Sequence, residues 1–215
     1  MTGQKPVVNS PRYAVNSSPG LRPVSARDQR LTRGNRPDWH EYYMGIAIAV
    51  RERANCQGSK VGALLVRDNR ILTTGYNGTP QNIANCDEGG CERCADRERF
   101  RSGQAYDLCI CVHAEQNALI TAARFGISVE GATMYTTLQP CFGCSKELLQ
   151  ARVAAVHYMH EWSPADDLSR PELRKIHGRF PKGMKRVEFD DPRAEWAVPW
   201  LNSGDRQEIG YAPQT

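Results

Sequence analysis

The chain has 215 residues, 40% hydrophobic and 24% charged, which suits one globular domain with a short appendage. Its formal charge of +4 sits in the first 36 residues, where seven basic side chains face Asp28 alone, so the remainder sums to −2. This argues against a fold that spreads positive charge over a polyanion. A bilayer-spanning helix is excluded too, since the longest apolar-leaning stretch, near Met44 to Val50, is far short of about 20 residues.

Residues 1–36 hold Pro6, Pro11, Pro19 and Pro23 among Ser, Asn, Gly and Arg, with no periodicity, and are predicted to form a disordered basic arm. Its cations are scattered rather than clustered, as in a solvated tail. The opening MTGQKPVVNS lacks an apolar signal-peptide core, so a reducing, cytoplasmic setting is expected for the eight cysteines. Residues 37–215 are expected to form the folded domain.

At Pro37 the pattern changes. Asp38 and Glu41 have capping-box spacing, and Trp39, Tyr42, Tyr43, Ile46 and Val50 recur at helical intervals, predicting a helix over about 39–54. Val61–Val66 and Ile71–Gly75 flank a polar turn and read as a hairpin whose first strand is central. Residues 76–112 carry five of the eight cysteines and little periodicity. A loop of that length in a compact domain is functional or tied down by something other than a core. Beyond it the chain alternates: helix His113–Phe125, strand Ala132–Thr137, helix Cys141–Ala151, strand Val153–Met159. Ser163-Pro164 has the form of a helix start, Lys185–Phe189 of a last strand and Asp191–Trp200 of a short helix. Alternation of this kind predicts an α/β fold, a three-layer α/β/α sandwich around a mixed sheet.

Two helix starts carry the chemistry, His113-Ala114-Glu115 and Pro140-Cys141-Phe142-Gly143-Cys144. Cysteines three residues apart on a first helical turn point the same way, and the helix dipole favours their thiolate form. One imidazole and two thiolates suit Zn²⁺ and leave a fourth position for water, as in a catalytic site. Glu115, two residues past His113, is placed to reach that water instead of the metal and is the candidate proton shuttle. Taken alone, a His-x-Glu is usually a surface or capping pair, and a Cys-x-x-Cys is more often redox or structural. Together and in this order they make the H-x-E…P-C-x-x-C signature of zinc nucleobase deaminases.

With the added segments Ser59-Lys60-Val61-Gly62-Ala63, Gly75-Tyr76-Asn77-Gly78-Thr79-Pro80 and HAEQNAL, the chain resembles the deoxycytidylate (dCMP) deaminase family over about 39–162. The resemblance implies a cytidine-deaminase-like fold, hydrolysis of dCMP to dUMP and ammonia for thymidylate synthesis, and often a homo-oligomer. It implies zinc ligation by His113, Cys141 and Cys144, with Glu115 as general acid/base. Asn77 matches a sugar-binding asparagine, and Trp162 stands where an aromatic often lies near the base; the alternative for Trp162 is plain packing. Lys60 and Gly78 fall in stretches that line the nucleotide site or an effector site for dCTP and dTTP, and Arg124 matches a regulatory arginine; Lys60 may equally be a surface cation. Some family members hold a second, structural zinc in this region. Cys56, Cys86 and Cys111 match its ligand positions, and the fourth ligand is open among Cys91, Cys94 and Cys109. Buried free thiols are the alternative, and the extra cysteine pairs leave room for more than one further zinc. Competing readings are a deaminase of another cytosine nucleotide or modified base, and a non-catalytic zinc protein binding nucleic acid. Glu115 and the acidic balance of the fold weigh against the second, and nucleic acid is not expected as a partner.

Overall fold

The computed structural model describes residues 36–96, 99–100, 105–164 and 166–199. The predicted arm therefore lies outside the described residues, apart from Arg36. Helix α1 (Trp39–Arg51) opens with the capping box read from the sequence: Asp38 Oδ1 accepts from the Glu41 N–H at 2.8 Å, and Glu41 Oε2 accepts from the Asp38 N–H at 3.1 Å. It ends three residues sooner than predicted, at Arg51.

Strands β1 (Gly62–Arg67) and β2 (Arg70–Tyr76) form the predicted hairpin. Asp68 and Asn69 turn it with both φ values positive, 52° and 56°, a conformation that short polar side chains tolerate. After the long loop come α3 (Ala114–Arg124), β3 (Thr133–Leu138), α4 (Phe142–Gln150), β4 (Ala155–His160), α5 (Ser169–His177), β5 (Met184–Arg186) and α6 (Ala194–Ala197); the four-residue α2 (Glu92–Ala95) lies within the loop. The sheet order is β2-β1-β3-β4-β5. β1 runs antiparallel to both neighbours, while β3, β4 and β5 are parallel, so the sheet is mixed.

Alternation along the strands builds three layers. Ala63, Leu65 and Met134 face α3 and α4 through Ala114, Ala118 and Leu148, whereas Leu64, Val66 and Tyr135 face α1 through Tyr43, Met44 and Ala47. This is the predicted α/β/α sandwich. Two glycines let the layers close. A Cβ on Gly62 would lie 2.2 Å from the Ala47 carbonyl oxygen, and one on Gly75 would lie 2.1 Å from that of Ala114. Gly75 thus lets the first turn of α3 sit directly on β2.

One expectation fails. Ser163-Pro164 does not begin a helix; α5 starts at Ser169, whose N–H is accepted by Asp166 Oδ1 at 2.7 Å. Asp166 supplies the N-terminal acceptor there, and Pro164 instead offers its carbonyl to Arg170 Nε at 3.1 Å. The expected last strand is shorter than predicted, and within the described residues 191–199 the helix is the single turn of α6.

The C-terminal segment is locked by charge. Asp191 accepts from Arg51 Nη1 and Nη2 at 2.7 and 2.8 Å, and pairs with His160 Nε2 at 2.8 Å. Arg51 is fully buried and the Asp191 side chain is 2% exposed, so each needs the other.

Candidate metal and proton-transfer site

His113 and Cys141 are the N-cap residues of α3 and α4, and Cys144 lies on the first turn of α4. Pro140 precedes α4 just beyond the carboxyl end of the central strand β3, so one ligand pair hangs from the end of that strand and the imidazole from the packed start of α3. Gln116 reaches back to accept the His113 N–H at 2.9 Å, and its amide nitrogen donates to Glu147 of α4 at 3.0 Å, joining the two helix starts. His113 Nδ1 lies 3.4 Å from Cys141 Sγ and 3.3 Å from Cys144 Sγ. All three donor atoms fall within 4.8 Å of one another, a spacing and donor set that fit a single Zn²⁺.

The electrostatics agree. Cys144 beside it, and then the His113 imidazole, lower the Cys141 pKa to about 4 against the opposing effect of burial, so this sulfur is a thiolate. Burial alone would lower His113, but the Cys141 sulfur raises it to about 9. A bound dication takes the place of that imidazole proton, so metal uptake releases it.

Glu115 is 4% exposed, and burial raises its pKa. The Thr136 hydroxyl lies 3.1 Å from Glu115 Oε1 and 3.1 Å from the Leu138 carbonyl oxygen. One hydroxyl hydrogen serves one of these acceptors at a time. An ionised Glu115 takes it; a protonated Glu115 can donate to Thr136 while Thr136 turns to Leu138. The carboxyl is therefore bonded in either protonation state.

His113, Glu115 and Cys141 line a cleft of about 820 Å³, counted out to open solvent. The described residues around it include Ser59, Asn77, Arg93, Phe100, Gln139 and Trp162. Asn77 is held firmly: its Oδ1 accepts from the Val61 N–H at 2.8 Å, and its Nδ2 donates to the Ser59 carbonyl at 2.7 Å. Trp162 is buried, and its backbone N–H donates to Gln139 Oε1 at 3.2 Å. Lys60, Gly78 and Arg124 are not among the lining residues. Lys60 Nζ sits 4.8 Å from the centre of the Trp196 ring, Gly78 is bridged to Val112, and Arg124 closes α3 about 15 Å from its start.

Sequence reading missed Arg93, the one Lys or Arg among the described lining residues, together with Gln139 and His177 behind the site. Gln139 contacts His177 Nδ1 at 3.4 Å, and His177 Nε2 faces the Pro140 carbonyl and Ser145 Oγ at 3.2 and 3.1 Å. Burial lowers the His177 pKa. His177 itself thus meets the backbone carbonyl just ahead of Cys141, a link that no local motif announces.

The remaining cysteines also gather. Cys56, Cys86, Cys94 and Cys111 have sulfurs mutually within 4.8 Å, and all four are buried. Cys94, left open by the sequence, is therefore the residue that joins the other three.

Residues 37–160 match the family described as the cytidine and deoxycytidylate deaminase zinc-binding region. The chain is 42% identical over 123 residues to the deoxycytidylate deaminase of Schizosaccharomyces pombe, covering 57% of this chain and 37% of that one. It is 40% identical over 135 residues to a Mycobacterium phage deoxycytidylate deaminase, covering 59% of this chain and 98% of that protein. The chain thus spans well under half of the yeast relative but nearly all of the phage one. Among solved structures it is similar to the dCMP deaminase of the cyanophage S-TIM5 in complex with dCMP and dUMP, at 28% identity and a TM-score of 0.54, covering 71% of this chain and 99% of that one.

Proposed function

The chain belongs to the cytidine and deoxycytidylate deaminase family, and from that premise we propose that it hydrolyses dCMP to dUMP and ammonia. The observation that carries this reading is a buried carboxyl, Glu115, on the wall of the same cleft as His113 and Cys141, two of the three donors that gather with Cys144. Zinc held by those three supplies a bound water with its pKa lowered towards about 7.

Everything else falls to the chain. Glu115 takes one proton from the attacking water and gives it to the ring nitrogen beside the reacting carbon, then takes the second from the hydroxyl now on that carbon and passes it to the amine, which leaves as ammonia as the carbonyl forms. Burial raises its pKa, which favours the protonated form it must pass through, and Thr136 keeps it bonded in both states. Trp162 offers a flat apolar face for the base, and Asn77, rigid between Ser59 and Val61, presents its remaining amide hydrogen towards the sugar. Arg93 supplies the positive charge for a 5′-phosphate that an acidic fold otherwise lacks.

The cysteine-rich loop, whose Cys56, Cys94, Cys109 and Cys111 also line the cleft, carries its own structural metal in this reading. Assembly into a homo-oligomer, a cytoplasmic location and regulation by dCTP and dTTP complete the reading, with Arg124 and Gly78 outside the cleft as effector candidates. No helix among the described residues is long and apolar enough to cross a membrane.

Ultraviolet assay of the purified chain with dCMP, CMP, dCTP, cytidine and 5-substituted dCMP tests the substrate. Fastest turnover is expected for dCMP. Preference for another member of the panel redirects the specificity, and no turnover of any by zinc-loaded protein refutes the activity.

A further inference from the structure

We propose that the cysteine-rich loop holds two zinc ions rather than one, in a six-thiolate cluster bridged by Cys94 and Cys111. This rests on the reading that the loop binds structural metal and goes beyond it in number and connectivity. Two sets of four sulfurs meet the spacing of a metal site: Cys56, Cys86, Cys94 and Cys111, and separately Cys91, Cys94, Cys109 and Cys111. They share Cys94 and Cys111.

Sulfur separations of 3.8 Å for Cys56–Cys94, 3.9 Å for Cys94–Cys109 and 4.0 Å for Cys91–Cys109 rule out disulfides. They match the edge of a tetrahedron with Zn–S bonds of about 2.3 Å, which is about 3.8 Å. A single zinc can take only one of the two sets. If it took the first, Cys91, 1% exposed, and Cys109 would be left as thiols packed against a metal-thiolate centre. Two tetrahedra that share the Cys94–Cys111 edge use all six sulfurs and give each metal four ligands.

The surrounding hydrogen bonds fit the division. The Gln57 N–H meets Cys86 Sγ at 3.4 Å, the Gly58 N–H meets Cys56 Sγ at 3.3 Å, and the Ile110 N–H meets the Cys91 sulfur. Each of these three cysteines is a terminal ligand in the scheme, with a lone pair left to accept a donor; a bridging sulfur spends that density on the second metal. Two dications and six thiolates leave a net charge of −2, which these N–H groups partly offset.

The test is metal content of the full chain purified from zinc-supplemented medium. Three zinc ions per chain are expected, falling to two in Cys141→Ser, which removes only the ligand set at the cleft. After exchange with cadmium-113, the two loop ions should give resonances split by mutual coupling through the bridging sulfurs. Two zinc ions per chain in the wild type would overturn the binuclear cluster and keep a mononuclear loop site. One would overturn the loop metal altogether, and three without cadmium–cadmium coupling would overturn the bridge. Failure to turn over dCMP strikes the functional reading and leaves this count untouched.

Discussion

The two cysteine sites of this protein are built in opposite ways. His113, Cys141 and Cys144 sit at the starts of α3 and α4, helices of 11 and 9 residues already packed on a five-stranded sheet. Cys56, Cys86, Cys91, Cys94, Cys109 and Cys111 lie on connections whose described regular structure is a four-residue helix, two three-residue 3₁₀ turns and the Gly78–Val112 bridge. In the first case the fold makes the site, and the metal adds reactivity. In the second the thiols themselves are the packed interior, and the proposed metal would be what makes the fold there.

The largest effect that would sharpen this contrast is on stability at the loop. Cys86→Ser should cost on the order of 4 kcal/mol or more, while Cys141→Ser should leave the melting temperature much closer to that of the parent. Equal losses in paired thermal melts would erase the distinction. Next comes the mirror image. Glu115→Gln should lower kcat roughly 10²–10⁴-fold, with zinc content and melting temperature unchanged. Retained turnover would remove Glu115 from proton transfer.

A fold contact with no metal in it provides the calibration between them. Asp191→Asn leaves Arg51 buried without its counter-charge and should cost about 3–5 kcal/mol. Burial would raise the Asp191 pKa, but hydrogen bonds from Arg51 and His160 hold it well below the usual carboxylate range. The pair's stabilisation is therefore complete above the unfolded-state pKa of about 3.9 and fades as pH falls through the lower folded value. Urea titrations at pH 7 and pH 3 should show the variant's deficit shrinking at the lower pH, and an undiminished deficit contradicts the assignment. The smallest effect lies where the two sites touch: Arg93 is on the loop but faces the cleft. Arg93→Ala should raise KM for dCMP about tenfold, equivalent to about 1.4 kcal/mol, and leave KM for cytidine unchanged. Equal shifts for both substrates would deny Arg93 a phosphate contact.

Much of the site was legible because its spacings are local. A His-x-Glu and a Cys-x-x-Cys at helix starts dictate their own geometry, whatever follows. The hairpin and the two packed layers were equally legible from period-2 and period-3.6 patterns. Lys60, read by resemblance as a candidate nucleotide contact, does not line the cleft, and Gly78 and Arg124, read as regulatory candidates, also lie outside its lining. Lys60 adjoins Ser59 and Val61, which line it, but its ammonium packs over Trp196.

From the sequence alone came the zinc donors His113, Cys141 and Cys144, the acid Glu115 beside them, the mixed three-layer fold and a loop that needed an external tie. Tertiary structure alone decided which thiols gather, that Thr136 meets Glu115 from a strand 21 residues away, that Arg93 enters the cleft, and that Arg51 finds Asp191 across 140 residues. The reason is physical. Helix and strand geometry fixes distances over three or four residues, whereas a loop of mixed turns fixes none, and its side chains meet only where packing and charge bring them together.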